Sequence, residues 1–112
     1  MGNVVRVLNA GMTEQGFGRR RVWVEPGRPV IIGPRLVLDL QVDRLDDALI
    51  PRARVRGPGA KFDAPLPAAC WLDLSAWAGM MAVPRAMEIN SNGRCTRLLM
   101  EFVAVREGVR FA

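Results

Sequence analysis

The groups able to do chemistry in this chain are arginines, one Asp-x-Ser step and little else. Arg19-Arg20-Arg21 follows the glycine-flanked Gly16-Phe17-Gly18, and Arg52, Arg54 and Arg56 alternate with Ala53 and Val55, which sets three guanidiniums on one face of a short strand. Guanidinium forks bind phosphate and carboxylate oxygens bidentately and tolerate interfaces better than ammonium groups do. Each triplet therefore reads either as an anion site, for nucleic-acid backbone or an acidic protein patch, or as a solvated strand face. Aromatic interleaving is poor: Phe17 and Trp23 accompany the first triplet and none lies within the second, so a base-stacking platform has weak support.

Histidine and tyrosine are absent, which removes histidine as acid, base, nucleophile or metal ligand. Asp73 and Ser75 lie between Trp71 and Trp77, but a serine nucleophile there needs a base, and Lys61 is the only lysine. No carboxylate pair, phosphate loop or metal cluster has the required spacing. The expectation is no catalytic residue, no metal, no cofactor and no enzyme. Cys70 and Cys95 read as small core residues, a single bridge being open to them if their strands are neighbours. Trp23, Trp71 and Trp77 read as core or interface anchors, and Met80, Met81, Met87 and Met100 as adaptable packing.

The elements that must carry these residues are strands. In Arg35 to Val42, Leu36, Leu38, Leu40 and Val42 share one face while Arg35, Val37, Asp39 and Gln41 share the other, the pattern of a half-buried strand. Val4 to Leu8, Arg21 to Glu25, Pro29 to Ile32, Arg52 to Arg56, Ala69 to Leu74, Ala86 to Asn90, Arg94 to Val105 and Val109 to Phe111 are further short runs bounded by glycine, proline or asparagine. Glu25-Pro26-Gly27-Arg28 has the signature of a type II turn, so Val22 to Val24 is expected to pair with Val30 to Ile32. Asn90-Ser91-Asn92-Gly93 predicts a hairpin between the strand ending at Asn90 and the one beginning at Arg94. Short helical turns are expected after Asp43, through Leu45, Ala48 and Leu49, and after Ser75, through Ala76 to Met81. Gly57-Pro58-Gly59, Pro65 and Pro67 predict a long ordered loop between them. The fold class is all-β: one domain, a sandwich or barrel of about eight short, mostly antiparallel strands.

A chain of 112 residues, half hydrophobic and 24% charged, has the balance of a single globule. Its net charge is +5, and fifteen of its sixteen positive residues are arginine. A GC-rich genome accounts for such a bias as readily as function does. The charge falls in blocks of alternating sign, with the basic first third followed by Asp39, Asp43, Asp46 and Asp47 and then by Arg52, Arg54, Arg56 and Lys61. Blocks of this kind pair within a molecule or between subunits, and Arg19, Arg20 and Arg21 with Asp46 and Asp47 are the charge partners expected at an interface. The uncharged stretch Ala64 to Leu72 is too short for a bilayer, and Met1 to Leu8 lacks a signal peptide's apolar core. The expectation is a protein kept in the cytoplasm or built into an assembly there, without membrane contact.

Two family resemblances bear on function. Val4 to Ala10, the Gly16 to Gly18 spacer, the Val22 to Gly27 strand and turn, and Val30 to Val42 resemble, in the N-terminal third, small β-proteins of tailed-phage and prophage structural modules. That resemblance implies a virion component, such as a decoration, head-completion or tail-adaptor protein, that contacts copies of itself and other structural proteins. The C-terminal half is similar to PilZ domains, β-barrels that bind cyclic di-GMP. Arg52-Ala-Arg-Val-Arg56 and Asp73-Leu-Ser75 match the family's Arg-x-x-x-Arg segment and the start of its Asp/Asn-x-Ser-x-x-Gly, although Ala78 stands where the motif ends in glycine. It implies an anion site at Arg52, Arg54, Arg56, Asp73 and Ser75. The expected function is thus structural assembly in a virion or host cytoplasm, with a PilZ-like or basic nucleic-acid-binding module as the alternative.

Overall fold

The computed structural model describes residues 2–9, 16–33, 36–45, 48–57, 60–65, 72–74 and 79–111. These form nine strands and no helix: β1 (Val4–Val7), β2 (Gly18–Val24), β3 (Val30–Gly33), β4 (Leu36–Leu45), β5 (Ala48–Gly57), β6 (Ala60–Pro65), β7 (Leu72–Leu74), β8 (Met80–Ile89) and β9 (Cys95–Ala104). Among the described residues no helix is long and apolar enough to cross a membrane. The protein is all-β, as the period-two alternation requires.

The strands make two antiparallel sheets. One is ordered β1-β8-β9-β2, with β7 also on β8; the other is ordered β3-β4-β5-β6. Their facing sides supply one core. Ile32, Leu38, Leu40 and Val55 from the four-stranded sheet meet Val24, Leu98, Met100 and Phe102 from the five-stranded one, all 2% exposed or less. Val37, Asp39 and Gln41, alternating with those leucines, are only half-buried on the other face of β4. The tail closes one end of the sandwich, where Val109 and Phe111 pack against the core and Phe111 lies beside Gly18.

Several local expectations are corrected. Glu25 to Arg28 is the expected turn, with Gly27 at φ +78° and the Arg28 amide donating to Glu25 O at 3.1 Å, but it does not make a hairpin. β2 pairs with β9 and β3 with β4, so the turn is a corner between sheets, held by Gly27 N donating to Leu40 O at 3.2 Å. Turn chemistry sets a reversal, whereas the burial of both strands' apolar faces decides the partner. The helical turn after Asp43 is replaced by a β4–β5 ladder that pairs Asp43 with Ile50 and runs to Leu45 and Ala48. Where the long loop is expected, Arg52 to Gly57 pair instead with Ala60 to Pro65 as a second hairpin, while Pro58, Gly59 and Pro67 lie outside the described residues.

Proline is tolerated in these ladders for positional reasons. Pro65 lies on edge strand β6, and Pro51 pairs with Val42 just beyond the last β5–β6 pair, Arg52 with Pro65. Residues 75–78 of the second expected helical turn lie outside the described residues, and its end, Met80 and Met81, belongs to β8. Val109 to Phe111 is not a strand but an irregular tail. The hairpin at Asn90 forms as expected, with Gly93 at φ +77° and Asn90 N donating to Arg94 O, though β8 begins at Met80 rather than Ala86.

Phe102 is fully buried where the two sheets meet. Phe102→Ala is expected to cost about 3–5 kcal/mol in a urea titration; a loss below ~1 kcal/mol contradicts the packing described.

Candidate protein interface

β1 and β2 are opposite edges of one sheet, about 14 Å apart across β8 and β9 at ~4.8 Å per strand spacing. Asn9, which follows β1, and Gly16, which precedes β2, both lie against the sheet's outer face. Asn9 accepts a 2.7 Å bond from Arg85 Nη1, and a Cβ on Gly16 would stand 2.5 Å from Val103 Cγ1 and 2.6 Å from Ala104 O. Glycine is required there by close approach. Residues 82–86 and 100–104 are buried in unbroken runs rather than alternately.

Within this covered patch sits a carboxylate. Glu101, 3% exposed, accepts bonds from Arg21 Nε at 2.6 Å, Arg19 Nη1 at 3.2 Å and Arg85 Nη2 at 2.8 Å. Arg85 is itself buried and sits in a β-bulge between Pro84 and Ala86, the extra residue that aims its guanidinium over the sheet. Burial raises the Glu101 pKa, but hydrogen bonds and charge from Arg21 and Arg85 outweigh that, and the net shift is downward. The carboxylate is ionised and fully engaged, and serves as a clamp rather than as an acid.

Next along β8, the edge opens. β7 pairs only as far as Ala82 and β1 only from Ala86, leaving a gap in which Asn9, at φ +51°, donates Nδ2 to Pro84 O at 2.9 Å and Leu8 N donates to Arg85 O at 2.8 Å. Asparagine suits this left-handed position, and the proline falls where β8 has no ladder partner on that side. Beyond the gap β1 is exposed throughout: Val4 66%, Val5 51% and Val7 65%, with Arg6 exposed as well. Its outer edge is unpaired in the described structure.

The remaining outer face of this sheet is polar. Arg97 lies 4.1 Å from the Trp23 ring centroid and bonds Glu88 at 3.0 Å, while Thr96 Oγ1 donates to the same carboxylate at 2.8 Å. Thr96, with Asn3 and Arg97, holds Glu88 below the usual carboxylate range despite some desolvation. Trp23 is 36% exposed, one ring face already covered by a guanidinium.

The structure divides the residues singled out in the sequence. Arg19 and Arg21 share the outer face and one carboxylate. Arg20, paired with Phe102, lies on the core side, half-buried, its Nη1 shielded and without a hydrogen bond. Arg52, Arg54 and Arg56 do share a face, with Val55 buried opposite, and Arg56 is exposed. Asp39 is the register partner of Arg54 across β4–β5. Asp73 is in β7, paired with Met81, so the two halves of the Arg-x-x-x-Arg and Asp-x-Ser pattern lie in different sheets. Asp46, Asp47, Trp71, Ser75, Trp77 and Cys70 lie outside the described residues. Cys95 is a free, buried thiol whose pKa burial pushes up to about 11.

Sequence reasoning missed Glu101, Arg85, Arg97 and the valines of β1 as site residues. Glu101 carried a signal: it is the single charge inside the apolar run Leu98 to Val105. Comparison of the chain with protein-family models, curated proteins and solved structures finds no match.

Because the folded Glu101 pKa is depressed, its stabilising contribution is complete above the unfolded value of about 4.3 and is lost as pH falls through the lower folded value. Glu101→Gln is expected to lose about 3 kcal/mol at pH 7, by removing the carboxylate that Arg19, Arg21 and Arg85 share, and to show a flatter stability profile than wild type below about pH 4. Parallel acid profiles in chemical unfolding would show that Glu101 is no such clamp.

Proposed function

We propose that this chain is a non-enzymatic structural subunit that works by assembly, joining copies of itself and other structural proteins through the apolar edge of its five-stranded sheet. The setting we propose is a virion, or the host cytoplasm where one is built, in keeping with the phage resemblance of the N-terminal third that contains β1. One observation carries the reading: β1 is a regular, apolar edge strand with both pleat faces and its outer edge exposed.

The other edges make the contrast. Proteins blunt edge strands with charge, proline, bulges or short length, because an open edge templates pairing with another chain. β2 carries Arg19, Arg20 and Arg21; β6 carries Lys61 and Pro65; β3 has an irregular register between Ile31 and Gly33; β7 is three residues long. β1 has an unbroken register with β8 and a single charge, Arg6. An apolar edge left open in a sheet whose other edges are blunted fits a strand kept for pairing.

The competing reading is an anion-binding module on the Arg52, Arg54 and Arg56 face. It predicts excess 260 nm absorbance in protein purified without nuclease, lost in Arg56→Ala. The assembly reading predicts protein-like absorbance and a light-scattering mass above the monomer, which falls to the monomer in Val5→Lys/Val7→Lys with an unchanged melting temperature. A wild-type monomer at every concentration, or an unchanged mass in the double variant, overturns self-assembly through β1.

A further inference from the structure

From the backbone parity of β1 we infer that its partner is β1 of a second copy, paired antiparallel about a two-fold axis through Val5 to give one continuous sheet across the dimer. The inference rests on the assembly reading and adds partner, symmetry and register.

Parity comes first. In an antiparallel strand the N–H and C=O of one residue point to the same side, and successive residues alternate. Leu8 N donates to Arg85 O in the register that pairs Val7 with Ala86, so Leu8, Arg6 and Val4 turn their backbone groups toward β8. Asn3, Val5 and Val7 turn theirs outward.

The faces restrict the choice further. Val5 is paired with Glu88, which bonds Arg97 on the outer face, whereas Arg6 is paired with Met87, which packs on the core. A two-fold axis perpendicular to the sheet keeps outer face with outer face, so residues pair only with residues of the same parity. Two registers centre on β1. One sets Val5 opposite Val5, Asn3 opposite Val7 and Val4 opposite Arg6, so that every outward backbone group of those three residues is bonded. The other sets Arg6 directly opposite Arg6 in a non-hydrogen-bonded pair with Cα atoms about 4.5 Å apart, which like charges destabilise. Charge therefore selects the Val5 register.

Pairing β1 with β2 of another copy is disfavoured in the same way, since it would bring Arg6 to a strand carrying three arginines. Self-pairing instead buries valine against valine on an edge with one charge per copy. Val4, Val5 and Val7, each more than half exposed in one copy, then gain a neighbour.

Single cysteines read the register directly. In the Val5 register the two Val5 Cα atoms form a hydrogen-bonded pair about 5.5 Å apart, within the roughly 4.4–6.8 Å that a disulfide spans; the two Arg6 Cα atoms lie beyond it. Val5→Cys under mild oxidation is expected to give a dimer band several-fold stronger than wild type, which sets the background from Cys70 and Cys95, while Arg6→Cys is expected to match wild type. Light-scattering mass and melting temperature of each reduced variant verify that it folds and associates. Crosslinking by Arg6→Cys but not by Val5→Cys overturns the register. No crosslink in either, with a wild-type mass above the monomer, overturns the β1 dimer but leaves assembly standing; no crosslink with a monomeric wild type overturns both.

Discussion

The five-stranded sheet depends on one buried carboxylate. Glu101 gathers guanidiniums from β2 and β8, and Arg85, through its bond to Asn9 O, carries the clamp on to the chain leaving β1. A single charge thus ties together both edges of the sheet. A carboxylate desolvated on the outer face of a sandwich would be strongly unfavourable alone, and three guanidiniums, two of them on partly exposed side chains, make it tolerable. The bond to Asn9 O also fixes where the chain leaves β1.

That arrangement explains how an apolar strand comes to rest on an open edge. β8 breaks its outer ladder at Val83 to Arg85, where proline and a bulge prevent regular pairing, and Asn9 and Leu8 fill the break. β1 is therefore positioned by the break behind it as much as by its own four pairs with β8. Held in this way, it presents valines to solvent on both faces while the other edges carry charge, proline, irregular register or short length. The geometry that stabilises the monomer thus also exposes the surface we assign to assembly.

The candidate site was legible in part. The alternation that set Arg52, Arg54 and Arg56 on one face holds, because period two is a property of any strand. The triplet Arg19 to Arg21 was visible as charge, but alternation splits it: Arg19 and Arg21 go to the clamp, and Arg20 to the core side. Val4 to Val7 was legible as a strand and not as an edge, since neither its neighbour nor its open side is written in four residues. Glu101, which the sequence reading missed, is a lone charge in an apolar run, and its three partners come from 16, 80 and 82 positions away.

What the chain determines locally is the class and much of the punctuation. Alternating apolar residues dictate strands, Pro26-Gly27 and Asn92-Gly93 dictate reversals through their allowed φ values, and the lack of histidine removes a large part of enzyme chemistry. Tertiary structure decided the rest: that the Pro-Gly turn joins two sheets rather than two neighbours, that the apparent helical turn after Asp43 and the stretch Ala60 to Pro65 are paired strands, and that Val109 to Phe111 is a packed tail. The physical reason is the range of the forces. Backbone sterics act over a few residues and can be read along the chain, whereas strand partner, edge position and the pairing of a buried charge follow from burying two apolar faces at once, which only the whole chain can do.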